Sequence, residues 1–207
     1  DINDLKELQG DLRNLILTLK AKGVKVRYIT KLVSTLNLKI YNKLFTMSVP
    51  EELQDQCALI VMGSEGREEQ SVKTDQDNAL IINDEADEYL FVEPMNTLNQ
   101  YLLEIGFPEC EGGVMVSNAY WRRNSSSFKK LIKEWVQNMN HESVQNLSIF
   151  LDSKCVAGDE TLAEELKSYF FSKFENRNDV LAHIAKAVLN FETPLSLFSG
   201  FVLEKAH

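Results

Sequence analysis

The chain is short of cysteine, of positive charge and of long apolar runs, and each shortage removes a class of protein. Three cysteines, Cys57, Cys110 and Cys155, stand far apart among 207 residues and form no C-x-x-C. An odd, scattered set speaks against a disulfide framework and against a zinc site, and fits a reducing, cytoplasmic setting. The three histidines, His141, His183 and His207, show no metal-ligand spacing and no nucleophile partner. No apolar run approaches the ~20 residues that cross a bilayer, so no membrane partner is expected. Lysine and arginine total 22 against 31 acidic residues, a net charge of −9. Nucleic-acid binders carry a basic face, and none is visible here. The best basic cluster is Trp121-Arg122-Arg123, followed by Lys129, Lys130 and Lys133. Internal repeats and low-complexity segments are also missing. The first residue is Asp1 and no signal-peptide pattern follows it, so a piece of a longer protein is expected.

What remains is an ordinary globular composition, 44% hydrophobic and 26% charged. Apolar residues at Ile2, Leu5, Leu8, Leu12, Leu15, Ile16 and Leu19 have helical spacing, with Gly23 as the stop. A second helix fits from Thr30 to Met47, and Pro50 then marks a break. Cys57 to Met62 (CALIVM) reads as a buried strand and Ala79 to Ile82 as another, with a charged loop from Asn83 to Glu88. Residues 89 to 105 resume helical periodicity up to Gly106. Val114-Met115-Val116 predicts a third strand and Ser148 to Leu151 (SIFL) a fourth. Asn124 to Ser127 begins a helix faced by Phe128, Leu131, Ile132 and Trp135. Further helices are expected around Leu162 to Phe170 and from Val180 to Phe191. The predicted class is α+β, a mixed sheet with an N-terminal helical pair and C-terminal helices. Three regions are expected: a lead-in over 1–48, a core over 49–160 and the start of a helical region over 161–207.

One stretch carries chemistry. Gly63-Ser64 closes the first strand, and Asp75 and Asp77 stand two apart at the mouth of the second. Residues two apart on a strand point to the same side, so both carboxylates would face one spot. Two hard oxygen ligands suit Mg²⁺, which takes one or two protein carboxylates together with phosphates and water. Gly63 lets backbone approach a ligand, the Ser64 hydroxyl can donate to phosphate, and a helix start favours anions. Phosphate cradle and metal clamp would face each other across adjacent strands, as a triphosphate site requires.

Gly63-Ser64 followed by Asp75-x-Asp77, in the fuller string GSEGREEQ…KTDQDNALI, resembles the polymerase-β-type nucleotidyltransferase superfamily. Within it, the string is similar to the nucleotidyltransferase group fused to CBS and cyclic-nucleotide-binding-like domains in bacterial signalling proteins. That group is related to the uridylyltransferase of the PII protein. Gly106-Phe107-Pro108, Cys110, Gly112 to Met115, Ser117-Asn118 and Trp121 resemble its next block, and Ile149 to Asp152 with Gly158-Asp159 a later one. The resemblance runs from about Pro50 to the C-terminus. It implies that Gly63 and Ser64 hold nucleotide phosphates and that Asp75 and Asp77 bind Mg²⁺ or Mn²⁺. A substrate hydroxyl would attack the α-phosphorus of an NTP. The acceptor would be a protein or small molecule, since an acidic surface repels nucleic acid.

Many superfamily members use a third carboxylate on a later strand. Val114 to Val116 offers none; Asp152 is the best candidate by position and Glu111 the weaker one. Plainer readings stand beside these. Asp75 and Asp77 could edge a solvated turn, Asp152 could be a structural acid bound to backbone or arginine, and Cys110 has no neighbouring positive charge. Arg67 either pairs with nearby acids or reaches a phosphate. Asn118 and Trp121 could shape a pocket, or be a turn residue and a core aromatic. The apolar stripes on the first two helices are core or the face of a homodimer, and the apolar tail from Thr193 would pack on a further domain or a second copy. Three readings follow: an enzyme, a Mg²⁺–nucleotide sensor for fused regulatory domains, and an interaction scaffold that binds no metal–nucleotide.

Overall fold

The computed structural model describes residues 1–68, 75–175, 177–180 and 182. Helix α1 (Ile2–Ala21) starts at Asp1, whose side chain accepts from the amides of Asn3 and Asp4 in a capping box. It ends before Gly23, which has φ +74°, and α2 (Val26–Ser48) folds back alongside. Leu12 and Ile16 of α1 meet Ile29 and Val33 of α2 in a small core of their own. Leu8 and Leu15, on the same predicted stripe, stay about two-fifths exposed at 41% and 42%.

A short helix α3 (Glu51–Gln54) leads into a four-stranded sheet of order β3-β2-β1-β4. Strands β1 (Cys57–Val61) and β2 (Asn78–Ile82) pair antiparallel, with Val61 opposite Asn78 and Cys57 opposite Ile82. Both strands are buried along their whole length, as their unbroken apolar runs require. Alternate residues serve opposite faces. Leu59, Val61, Leu80 and Ile82 pack with Ile40, Leu44 and Phe45 of α2 and with Met95 and Leu98 of α5 (Val92–Ile105). Ala58, Ile60, Ala79 and Ile81 pack on the other side with Phe128, Phe150 and Phe170. The fold is α+β with a mixed sheet, the N-terminal helical pair and C-terminal helices.

Two strands are not where the apolar runs predict them. The third, β3, is Arg122–Asn124, parallel to β2 with Leu80 opposite Arg122. Val114 to Val116 instead flanks β2 without a ladder. The Val114 carbonyl accepts from the Asn78 amide at 3.1 Å, but Val116 N donates to the Asn78 side chain. Gly113, at φ +67°, turns the chain just before this segment, which keeps it from running straight. The SIFL segment lies in helix α7 (His141–Leu151). Asn140 starts that helix by accepting from Ser143 N, and Val144, Leu147 and Phe150 have helical spacing that four residues read alone conceal.

The fourth strand, β4 (Lys154–Gly158), pairs antiparallel with β1 at the sheet edge, with a bulge between Leu59 and Ile60. Helix α6 (Ser125–Asn138) begins as expected at Asn124, and α8 (Glu160–Ser172) covers one face. Beyond Val180 and Ala182, the helix expected to Phe191 lies outside the described residues, as do the tail from Thr193, His183 and His207. Among the described residues, no helix is long and apolar enough to cross a membrane.

Candidate active site

The antiparallel pairing of β1 with β2 decides where the motif residues meet. β1 ends at Val61 and β2 begins opposite it at Asn78, so Gly63-Ser64 and Asp75-Asp77 share one end of the sheet. Met62 N donates to the Asp77 carbonyl at 2.9 Å and extends the pairing by one residue. Gly63 then turns with φ +56°, into α4 (Gly63–Gly66). A Cβ on Gly63 would stand 2.6 Å from Oδ2 of Asp77, so only glycine lets the turn sit against that carboxylate. One four-residue turn gives little helix dipole. What the Gly63-Ser64 segment can offer an anion is its first backbone amides and the Ser64 hydroxyl.

Asp75 is exposed and Asp77 half-buried. Neither belongs to the β2 ladder, which begins at Asn78. Burial, and then the Asp75 charge, push the Asp77 carboxyl from its usual 3.8 up to about 7. A hydrogen bond from the Cys110 thiol and the charge of Arg67 act in the opposite direction without restoring it. Two crowded carboxylates of this kind gain from a cation between them. Among the described residues, no three His, Cys, Asp or Glu side chains converge to hold a metal. Asp75 and Asp77 could therefore hold a hard divalent ion as a pair, with phosphate oxygens and water completing its shell.

Asp152 is placed differently from its expected position. It is not at a strand end; it caps the C-terminus of α7, where its carboxylate forms an ion pair with Arg67. The third acid thus gathers with Arg67 and not with Asp75 and Asp77. Arg67 lies between the two settings, bound to Asp152 and close enough to Asp77 to lower its pKa. Glu111, the weaker candidate, lies in the turn before Gly112. Beside Arg67, Glu68 has φ +58° and bonds Lys154 of β4 at 2.6 Å. Asn118 is a turn residue, accepting from Tyr120 N and donating to the Gly113 carbonyl, and Trp121 is core. Lys73 lies outside the described residues.

Several contributors escaped the motif. Gly66 has an ordinary φ, but a Cβ there would stand 1.9 Å from the Asp152 carbonyl, so α4 rests directly on the end of α7. Glu65, between the two glycines, is 1% exposed, and Gln76, between the two aspartates, is fully buried. Gln76 is held by Pro108 O through its amide and by Phe107 O through Nε2. For Gln76 a signal is present, because a residue between two aspartates that share one side points to the other; no local pattern marks Glu65.

Two surface grooves lie elsewhere, one of about 360 Å³ between α2 and β4 and one of about 290 Å³ beside Tyr89, Arg122 and Arg123. No curated protein matches the sequence. Residues 10–142 match the family described as "Putative nucleotidyltransferase DUF294". The match takes in the later part of α1 and all of α2, earlier than the Pro50 start that the motif blocks suggest, and stops short of Asp152. It contains Gly63, Ser64, Asp75 and Asp77 and spans well over half of the chain, which belongs to this nucleotidyltransferase family.

Proposed function

We propose that the domain binds an NTP with Mg²⁺ or Mn²⁺ and transfers its nucleoside monophosphate to a hydroxyl of a protein or small molecule. The observation that supports this best is the contact of the Gly63 turn with the Asp77 carboxylate, with Asp75 beside it. Asp75 and Asp77 would hold the divalent ion, which supplies charge neutralisation at the phosphates when bound. The amides at Gly63 and Ser64 and the Ser64 hydroxyl would orient the triphosphate from the facing side. Arg67 is within electrostatic reach of Asp77 and would add a positive charge there. In the transfer, the acceptor oxygen bonds to the α-phosphorus as the bond to the bridging oxygen breaks, pyrophosphate leaves with that electron pair, and the hydroxyl proton passes to solvent. The net charge of −9 disfavours a polyanionic acceptor. The motif likeness supports the further reading that such a domain serves a bacterial signalling protein with regulatory domains attached.

A second reading has its own observation. The acid best placed in sequence to take the hydroxyl proton, Asp152, is bound to Arg67, and no third acid joins the pair among the described residues. A domain built this way could bind Mg²⁺–NTP and signal without turnover. Label from an α-³²P NTP, followed with pyrophosphate in the presence of fractionated cell extract as the source of hydroxyls, separates the two. Transfer with equimolar pyrophosphate, abolished in Asp77→Asn, is the expected result. Metal-dependent binding without transfer to any fraction selects the sensor.

A further inference from the structure

The basic cluster Trp121-Arg122-Arg123 has no part in the chemistry above, yet Arg122 is bonded to backbone that flanks the site. It stands on β3 opposite Leu80, whose amide donates to the Trp121 carbonyl at 2.9 Å. From there its Nη1 donates to the carbonyls of Val116 at 2.7 Å and Ser117 at 3.1 Å. Glu88, the acid that acts on Arg122 electrostatically, gives its Oε1 to the Asn124 amide. Arg122 is half-buried, and hydrogen bonds from a charged donor are stronger than those between neutral groups.

Residues 114–117 need such a hold. The turn's own bonds, from Met115 N to the Gly113 carbonyl and from Asn118 N to the Met115 carbonyl, are local. Its bonds to β2 both end on Asn78. The Asn78 amide donates to the Val114 carbonyl at 3.1 Å, and Asn78 Oδ1 accepts from Val116 N at 2.8 Å. Val116 and Asn78 have no solvent exposure, so water does not replace a lost partner there. Gln76, on the other side of Asp77, is bonded to an earlier part of the same stretch. Its amide donates to the Pro108 carbonyl at 3.0 Å and its Nε2 to the Phe107 carbonyl at 3.1 Å. Asp77 therefore sits between two residues that residues 107–117 hold, and Arg122 fastens the far end of that stretch.

We infer that Arg122 is a positioning residue: it keeps residues 114–117 on Asn78 and so sets the Asp77 carboxylate against the Gly63 turn. Its effect on ligand rests on the nucleotidyltransferase reading; its effect on backbone order does not. Without the guanidinium, the Val116 and Ser117 carbonyls lose their donor, and the segment gains by turning outward to water. Val116 N then leaves Asn78 Oδ1, and the residue next to Asp77 is held from one side less.

Residue-resolved amide exchange tests this on the wild type, Arg122→Met, Arg122→Lys and Arg123→Met, with Mg²⁺–NTP titrations on the same samples. Arg123 is the control: the same charge is lost from the next position, but its Nε bonds the Tyr120 carbonyl. In Arg122→Met, the Asn78 and Val116 amides should exchange about tenfold faster, with the strand amides of β1 unchanged. Affinity for the tightest-binding NTP with Mg²⁺ should fall by about tenfold. Lysine brings an ammonium but no fork to the two carbonyls, so Arg122→Lys should show both effects at about threefold. Arg123→Met should show neither. If Arg122→Met does not fold, Arg122→Lys against Arg123→Met decides the same question. Exchange unchanged at both amides, or rising in step with β1, would overturn the inference. So would local acceleration with undiminished affinity, or equal losses of affinity at Arg122 and Arg123, which would make charge the cause. If the wild type binds no NTP while the local exchange effect appears, the nucleotide reading fails and the hold on Asn78 stands.

Discussion

Burial and the neighbouring Asp75 hold the Asp77 carboxyl near 7, far from the 3.8 of a free side chain. A raised acid pKa contributes stability that is fully present below about 3.8 and lost as pH rises through about 7. Above pH 7, Asp77 is ionised in a place that does not favour the charge. Asp77→Asn is a permanently neutral isostere and should therefore stabilise the metal-free protein at pH 8 by on the order of 2–4 kcal/mol. The gain should vanish near pH 4, and melting curves at the two pH values check it. A lower melting temperature for Asp77→Asn at pH 8 would contradict the electrostatic description of the site. Asp152 is a separate case. Its pair with Arg67 is partly exposed and contributes no more than about 1 kcal/mol. Asp152→Asn should therefore leave Mg²⁺-dependent NTP affinity within a few-fold of wild type in calorimetry. A complete loss of binding would show that Asp152 belongs to the metal site after all.

Among the elements, legibility followed apolar continuity. β1 and β2 were readable because each is an unbroken apolar run buried on both faces, and α6 because Asn124 caps it. β3 has three polar residues and exists only because Leu80 to Ile82 offer it a parallel edge, which no local pattern announces. β4, an edge strand reading KCVAG, is too weakly apolar to stand out, while SIFL alone has the pattern of a strand and shows its helical period only with the rest of α7 from Asn140 onward. The site divides in the same way. Gly63 against Asp77 follows from sequence because two adjacent antiparallel strands join them. Tyr41 against Phe107, whose carbonyl holds Gln76, does not, because it depends on how α2 crosses the sheet.

The seat of α4 on α7 belongs to this scale too, and Gly66→Ala tests it. A methyl 1.9 Å from the Asp152 carbonyl must move one element, so a cost of roughly 2–4 kcal/mol is expected in denaturant unfolding. A change below half a kcal/mol would mean that α4 and α7 separate easily.

At the scale of the whole molecule, two cores on opposite faces of one sheet clamp a β1–β2 pair whose connected end, where Val61 faces Asn78, carries both halves of the motif. The N-terminal helices share the α2-side core with the strands, and the family match likewise reaches back into α1. An acidic molecule with a crowded carboxylate pair at one sheet end is built to gain from a bound cation and repel anions that arrive without one. The most direct measurement is calorimetric titration of each NTP with and without Mg²⁺, on the wild type and on Asp77→Asn. Binding that requires both the metal and Asp77 is the expected result. Tight binding indifferent to metal and to Asp77 would contradict it and move the nucleotide away from the Gly63–Asp77 end of the sheet.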